Sequence, residues 1–108
     1  MQWTVETFGP AVDKELADLP PGIRARLLRI MEVIEGHGLP ALREPHAKHL
    51  DGKLWELRAK GKEGIARALY VAVTGRRVVI LHAFVKKSTE TPAGALRLVR
   101  QRLEELAP

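Results

Sequence analysis

LWELRAKGKEGIARALYVAVTGRRVVILHAFVK, residues 54–86, decides the fold. It divides into three strand candidates, "LWELRA", "IARALYVAV" and "RVVILHAFVK", joined by the Gly-rich turn "KGKEG" and by "TGR", a tight hairpin turn. Links this short join antiparallel neighbours, so the stretch reads as a three-stranded meander.

The flanks supply the cover that such a sheet needs. Upstream, "WTVETF" alternates and is rich in β-formers, and "AVDKELADL", led by Pro10, makes a short helix that "LPPG" ends. Ile23, Leu27, Ile30, Met31 and Ile34 then recur at helical spacing up to Gly36 and Gly38. Residues 39–53, "LPALREPHAKHLDGK", read as a loop. Downstream, Thr91 is placed as an N-cap and Pro92 at the first position of a closing helix, whose stripe is Leu96, Val99, Leu103 and Leu106. The expected fold is α+β. An antiparallel sheet of about four strands packs on an N-terminal helical hairpin and a C-terminal helix, in the order β-α-α-β-β-β-α, as a single domain over residues 1–108.

The net charge is +5, and its placement is uneven. Residues 43–87 hold 11 Lys and Arg against 4 Asp and Glu, whereas residues 1–42 hold 4 against 6 and residues 88–108 hold 3 of each. A positive field concentrated in the central strands favours a polyanion, and nucleic acid is the commonest one. The plain alternative is a soluble basic surface. There is no cysteine, which excludes thiolate catalysis and cysteine-based zinc sites. His46 and His49 lack the cysteines or carboxylates that would complete a metal site. Neither a signal peptide nor a membrane span is visible, so a cytoplasmic protein without a membrane partner is expected.

Alternation along the strands assigns faces. Trp55 and Leu57 are expected to face the helices, and Glu56 and Arg58 the open side. Arg67 shares its side with Leu69 and Val71. His82, Phe84 and Lys86 share one side, opposite Leu81, Ala83 and Val85. Glu56, Arg58, Arg67, His82 and Lys86 then gather on one open surface, with Lys87 at its margin. Such a set cradles phosphate and stabilises the charge of a phosphorane during RNA cleavage. The RNA 2′-hydroxyl supplies the nucleophile, so no metal or other cofactor is needed. Glu56 or His82 is the candidate base, and a cation the candidate acid. Lys48, Lys53, Lys60 and Lys62 are candidates for RNA-backbone contacts. Each choice has a plainer counterpart: a Glu56–Arg58 ion pair, Lys86 and Lys87 as guards of a strand end, His82 as a structural histidine, and Tyr70 and Trp55 as core.

"KHLDGKLWELR", the Arg-x-x-Tyr of "ARALYVAV", and "VILHAFVKKSTETP" before the last helix together resemble the RelE/ParE toxin superfamily. The phage-derived HigB-like branch of toxin–antitoxin modules is the nearest. The resemblance implies a ribosome-dependent endoribonuclease that cleaves translated messenger RNA and is neutralised by a cognate antitoxin, usually of helix-turn-helix type. By motif, Arg67 matches the superfamily's active-site arginine, Arg58 the arginine that ends the Trp-Glu-Leu-Arg strand, and Lys86 and Lys87 the basic residues after the last strand. Glu56 stands where some relatives carry a catalytic lysine. "PAGAL" replaces a helix-start glutamate, and the closing helix has no tyrosine. A gyrase-directed toxin and a degenerate toxin that only binds are the competing readings.

Overall fold

The computed structural model describes residues 2–42, 46–87 and 90–106. Its elements are β1 (Thr4–Thr7), α1 (Pro10–Ala17), α2 (Pro21–His37), a 3-10 turn (Leu39–Ala41), β2 (Ala47–Asp51), β3 (Leu54–Gly61), β4 (Gly64–Val73), β5 (Arg77–Lys86) and α3 (Ala93–Leu106). The architecture is the expected α+β type, with one strand more. The sheet order is β1-β5-β4-β3-β2. β1 runs parallel to β5, and every other neighbouring pair is antiparallel.

The additional strand is β2, inside the segment read as a loop. Its "AKHLD" carries little apolar alternation of its own. It becomes a strand because the turn at Gly52, with φ 55, folds it back onto β3, pairing Ala47 with Leu57 and Lys48 with Glu56. Register, set by a turn, here overrides a weak local preference. At the opposite edge β1 is held to β5 by Arg77, whose Nε and Nη2 donate to the two oxygens of Glu6 at 2.7 and 3.0 Å.

Two cores lie on the two faces of the sheet. On one face, Ile23, Leu27, Ile30, Met31 and Ile34 of α2 pack with Val12 against Leu57, Ala66, Ala68, Tyr70, Val78 and Ile80. On the other, Val99, Leu96, Leu103 and Leu106 of α3 cover Leu54, Leu69, Val71, Val79 and Leu81. The second face is therefore not the open surface expected from the strand pattern. α3 is the third layer, and Arg100 anchors it to the β2–β3 turn by donating to Asp51 at 2.6 Å.

Strict alternation also fails at one point of β5. Leu69 pairs with His82, but the next residue, Tyr70, pairs with Ile80. Leu81 is the extra residue of a β-bulge. The bulge places Leu81 under α3 with Val79, while Val85 joins the α2 side. Leu81, Ala83 and Val85 therefore do not form one row. Trp55 departs from expectation too. It is 39% exposed, with its ring edge-on to His49 at 4.9 Å. Its cross-strand neighbour Tyr70 is buried as expected, and burial pushes its phenol up to about 12.

Candidate active site

β3 and β4 build the centre of the site by register. Arg58 lies directly opposite Arg67, and Glu56 opposite Leu69. Directly opposed residues of antiparallel strands sit about 5 Å apart at their Cα atoms, so the two arginines converge without help from any loop. Two like charges this close need an anion, and Glu56 is two residues from Arg58 on the same side of the strand. Arg58 Nε donates to Glu56 Oε1. The second carboxylate oxygen, Oε2, accepts the Thr91 hydroxyl at 2.8 Å.

Glu56 and Arg67 are both 0% exposed, and the Arg58 side chain keeps 17% exposure. Burial pulls the Arg67 guanidinium below the usual arginine range. Glu56 opposes that pull, and Arg58 adds to it. The Glu56–Arg58 ion pair is thus present. The geometry binds the carboxylate at both oxygens, so Glu56 is a charge-setting and orienting group for Arg58. Thr91 is not the helix cap that its place before Pro92 suggests. Instead, the helix begins at Ala93, and it is the Pro92 carbonyl that accepts the first amides, from Ala95 and Leu96. The Thr91 hydroxyl is turned onto Glu56. It ties the chain after β5 to the middle of β3.

The lysines divide into groups. Lys86 is exposed at the end of β5 and pairs in register with Ile65, which faces Lys60 across β3 and β4. Lys60, Lys62, Lys86 and Lys87 are all exposed and collect at this one end of the sheet. Gly64 makes the closeness possible. With φ 136, its hydrogen lies where a Cβ would meet the Lys86 carbonyl oxygen at 2.8 Å. Lys48 is exposed and lies opposite Glu56, on the β2 edge. Lys53 sits at the other end of β3, on the order of 20 Å from Lys60 at the usual rise of a strand, and so stands apart from the cluster.

His82 lies on the same face as Arg67 but is committed elsewhere. Its Nδ1 donates to Glu15 Oε1 at 2.9 Å, and its ring stacks at 4.9 Å on Phe84. Glu15 also accepts the Ala83 amide at 3.1 Å and Arg102 Nη2 at 3.2 Å, and Arg102 Nη1 donates to the Leu81 carbonyl at 2.6 Å. Burial is the largest influence on Glu15 and works against its charge. The bonds from His82, Arg102 and the Ala83 amide outweigh it and hold the carboxyl below the usual carboxylate range. This clasp joins α1, β5 and α3. Sequence reasoning missed both Glu15 and Arg102, since each looks like an ordinary helix-surface charge. Only the bulge at Leu81, which frees a carbonyl for Arg102, brings them in.

A family model described as Phage derived protein Gp49-like matches residues 14–104, from α1 almost to the end of α3. The chain belongs to the Gp49-like family. No curated protein matches it. Among solved structures, this Gp49-like chain is similar to RelE in the archaeal RelE–RelB complex from Pyrococcus horikoshii. The two are 25% identical with a TM-score of 0.57, over 79% of this chain and 96% of the other. The Gp49-like chain therefore has a RelE-like fold. No helix of its described residues is long and apolar enough to cross a membrane.

Proposed function

We propose that this Gp49-like protein is the toxin of a type II toxin–antitoxin module, and that it acts as a messenger RNA endoribonuclease on the ribosome. The observation that carries the reading is the Arg58–Arg67 pair, opposed across β3 and β4 with Arg58 bound to the Glu56 carboxylate, and with Lys86 and Lys87 exposed at the adjoining sheet end. The RelE–RelB complex among its structural relatives supports a protein antitoxin as partner, and the motif resemblance favours the HigB-like branch.

In this mechanism Arg58, held by Glu56, forks onto the scissile phosphate. Lys86 and Lys87 draw in the RNA backbone, and Lys60 and Lys62 extend that track. Arg67, opposite Arg58 on β4, contributes fixed positive potential in surroundings where charge acts strongly because water is excluded. The RNA 2′-hydroxyl attacks the adjacent phosphorus, the P–O5′ bond breaks, the leaving 5′-oxygen takes a proton from a lysine ammonium or from water, and a 2′,3′-cyclic phosphate results. The proton lost by the nucleophile passes to water or to an RNA group, because the Glu56 carboxylate is already bound at both oxygens.

Induction of the protein in a bacterial host tests this reading. The native chain arrests growth, and Arg58→Ala, purified and shown to be folded, does not. Full toxicity of that variant would remove Arg58 from the mechanism. One observation favours a second reading. Arg67 is wholly buried and Glu56 is bound on both sides, as in a domain that binds its partners without cleaving. That reading gives antitoxin binding with no growth arrest from the native chain.

A further inference from the structure

Glu56 is the buried carboxylate of the site, and two donors from distant parts of the chain divide it. Arg58, on the same strand, reaches Oε1 through Nε, and the Thr91 hydroxyl donates to Oε2 at 2.8 Å. A carboxylate beside a guanidinium ordinarily turns both oxygens onto it, because two parallel charge-assisted bonds are stronger than one. Here one oxygen is withheld. The pairing of Glu56 with Arg58 therefore runs through Nε and leaves the Nη nitrogens out of it.

Thr91 is built to hold that oxygen still. β5 ends at Lys86 and α3 begins at Ala93, and Thr91 and Pro92, both half-buried, lie just before the helix. A residue ahead of proline is kept extended by the ring, and a β-branched side chain has few rotamers, so neither the backbone nor χ1 of Thr91 turns easily. The Pro92 carbonyl accepts the Ala95 and Leu96 amides at 3.1 and 3.2 Å, which ties the Thr-Pro step to the first turn of α3. The helix itself is anchored by Val99 in the core, by Arg100 on Asp51, and by Arg102 on Glu15 and the Leu81 carbonyl. The hydroxyl thus reaches Glu56 from a firm support. The Thr-Pro that follows the two lysines in the sequence gains a role that helix capping does not give it.

We infer that Thr91 is a positioning residue of the active site: its hydroxyl keeps the Glu56 carboxylate to a one-oxygen contact with Arg58, so that the Nη end of the guanidinium is presented to the scissile phosphate. The inference deepens the proposed endoribonuclease reading and rests on it for the reaction. Without the hydroxyl, Oε2 becomes a buried charged acceptor that has lost its donor, a costly state that the side chain escapes by turning. The cations beside it are Arg58 and, across the strands, Arg67. The carboxylate then closes on Arg58 with both oxygens, and the fork meant for phosphate is spent on protein. Contact with the charge that develops on phosphorus requires this clamp to open, so the loss falls on the transition state more than on binding. Lys60, Lys62, Lys86 and Lys87, which draw in the RNA backbone, are untouched by the change.

The test compares two variants of the full chain, Thr91→Val, close in shape but without the hydroxyl, and Thr91→Ser, which keeps it. Cleavage of a message on programmed ribosomes is followed at limiting and saturating ribosome concentrations. Thr91→Val is expected to lower kcat about tenfold or more, the scale of one hydrogen bond to a charged group, with KM within about twofold of native, and Thr91→Ser to bring kcat back to within about threefold. A second measurement needs no activity: the Arg58 Nε–H resonance by NMR, identified by its absence in Arg58→Lys. It is expected to move in Thr91→Val and to return in Thr91→Ser. Urea unfolding checks that each variant is folded, and Thr91→Ala replaces Thr91→Val in both measurements if the latter is not. A native kcat in the variant that lacks the hydroxyl, or a fall that Thr91→Ser shares in full, overturns the inference and leaves the nuclease reading standing. A rise in KM alone overturns it too, since that places Thr91 in substrate binding, as does an Arg58 resonance that stays put when the hydroxyl is gone. If the native chain cuts no message yet the resonance moves and returns as described, the nuclease reading fails and the hold of Thr91 on Glu56 and Arg58 stands.

Discussion

Replacing Glu56 by glutamine probes the centre of the site with the smallest change in shape. Glutamine keeps a carbonyl oxygen for the Thr91 hydroxyl, so the tie to the chain before α3 survives. What disappears is the negative charge that binds Arg58 and acts on the buried Arg67 opposite it. Arg58 retains 17% exposure and can turn outward, so its share of the loss is on the scale of an exposed pair, about 0.5–1 kcal/mol. Arg67 is 0% exposed and has no such route. Removing the anion that faces a buried cation typically costs about 3–5 kcal/mol, and the expected total is therefore about 3.5–6 kcal/mol. That is a large part of the 5–15 kcal/mol that holds a typical domain folded. Urea unfolding followed by far-ultraviolet circular dichroism at neutral pH measures it. A cycle with Arg67→Met isolates the pair, since the double variant carries neither charge and keeps a similar volume. The double variant is expected to recover about 1.5–3 kcal/mol relative to the sum of the single losses. A loss below about 1 kcal/mol for Glu56→Gln, or strict additivity in the cycle, refutes the view that this carboxylate stabilises the arginine pair.

Gly64→Ala places a Cβ at 2.8 Å from the Lys86 carbonyl, on a residue with φ 136, so backbone must move. A loss of at least about 2 kcal/mol, or a fall in Tm of about 10 °C, is expected in thermal melts, and an unchanged Tm contradicts the described approach of β4 to the end of β5. Glu15 has a depressed carboxyl pKa, so it binds its proton less readily folded than unfolded. Its contribution is complete above the unfolded value of about 4.3 and is lost as pH falls through the lower folded value. Glu15→Gln is accordingly expected to cost about 1.5–3 kcal/mol at pH 7 and much less near pH 2, measured by urea titration at both; an equal cost at both removes the clasp as a source of acid sensitivity.

The meander of β3, β4 and β5 was legible because apolar runs broken by Gly-rich turns leave little else for the chain to do. The helical stripe of α2 was legible for the same reason. β2 was not, because "AKHLD" carries no signal apart from the partner that pairs with it. The faces of Glu56, Arg58 and Arg67 followed from parity, and the structure does bring them together. Their burial did not follow, because parity says nothing about what lies above a face, and α3 with Thr91 covers this one. His82 lost its expected company for a different reason. One extra residue in β5 moves Leu81 under α3, opens a carbonyl to Arg102 and sets the Glu15 carboxylate on the imidazole. A single-residue bulge has no signature in an apolar strand, whereas a hydroxyl that serves a distant carboxylate looks like a cap whenever a helix follows.

Transcript mapping tests the central claim most directly. Primer extension on translated messages shortly after induction compares the native chain with folded Arg58→Ala and Arg67→Lys variants. The account predicts new 5′ ends within coding regions for the native chain and their loss in Arg58→Ala, with a marked reduction in Arg67→Lys. Intact messages beside accumulating DNA breaks, or an unaltered cleavage pattern in both variants, would contradict it.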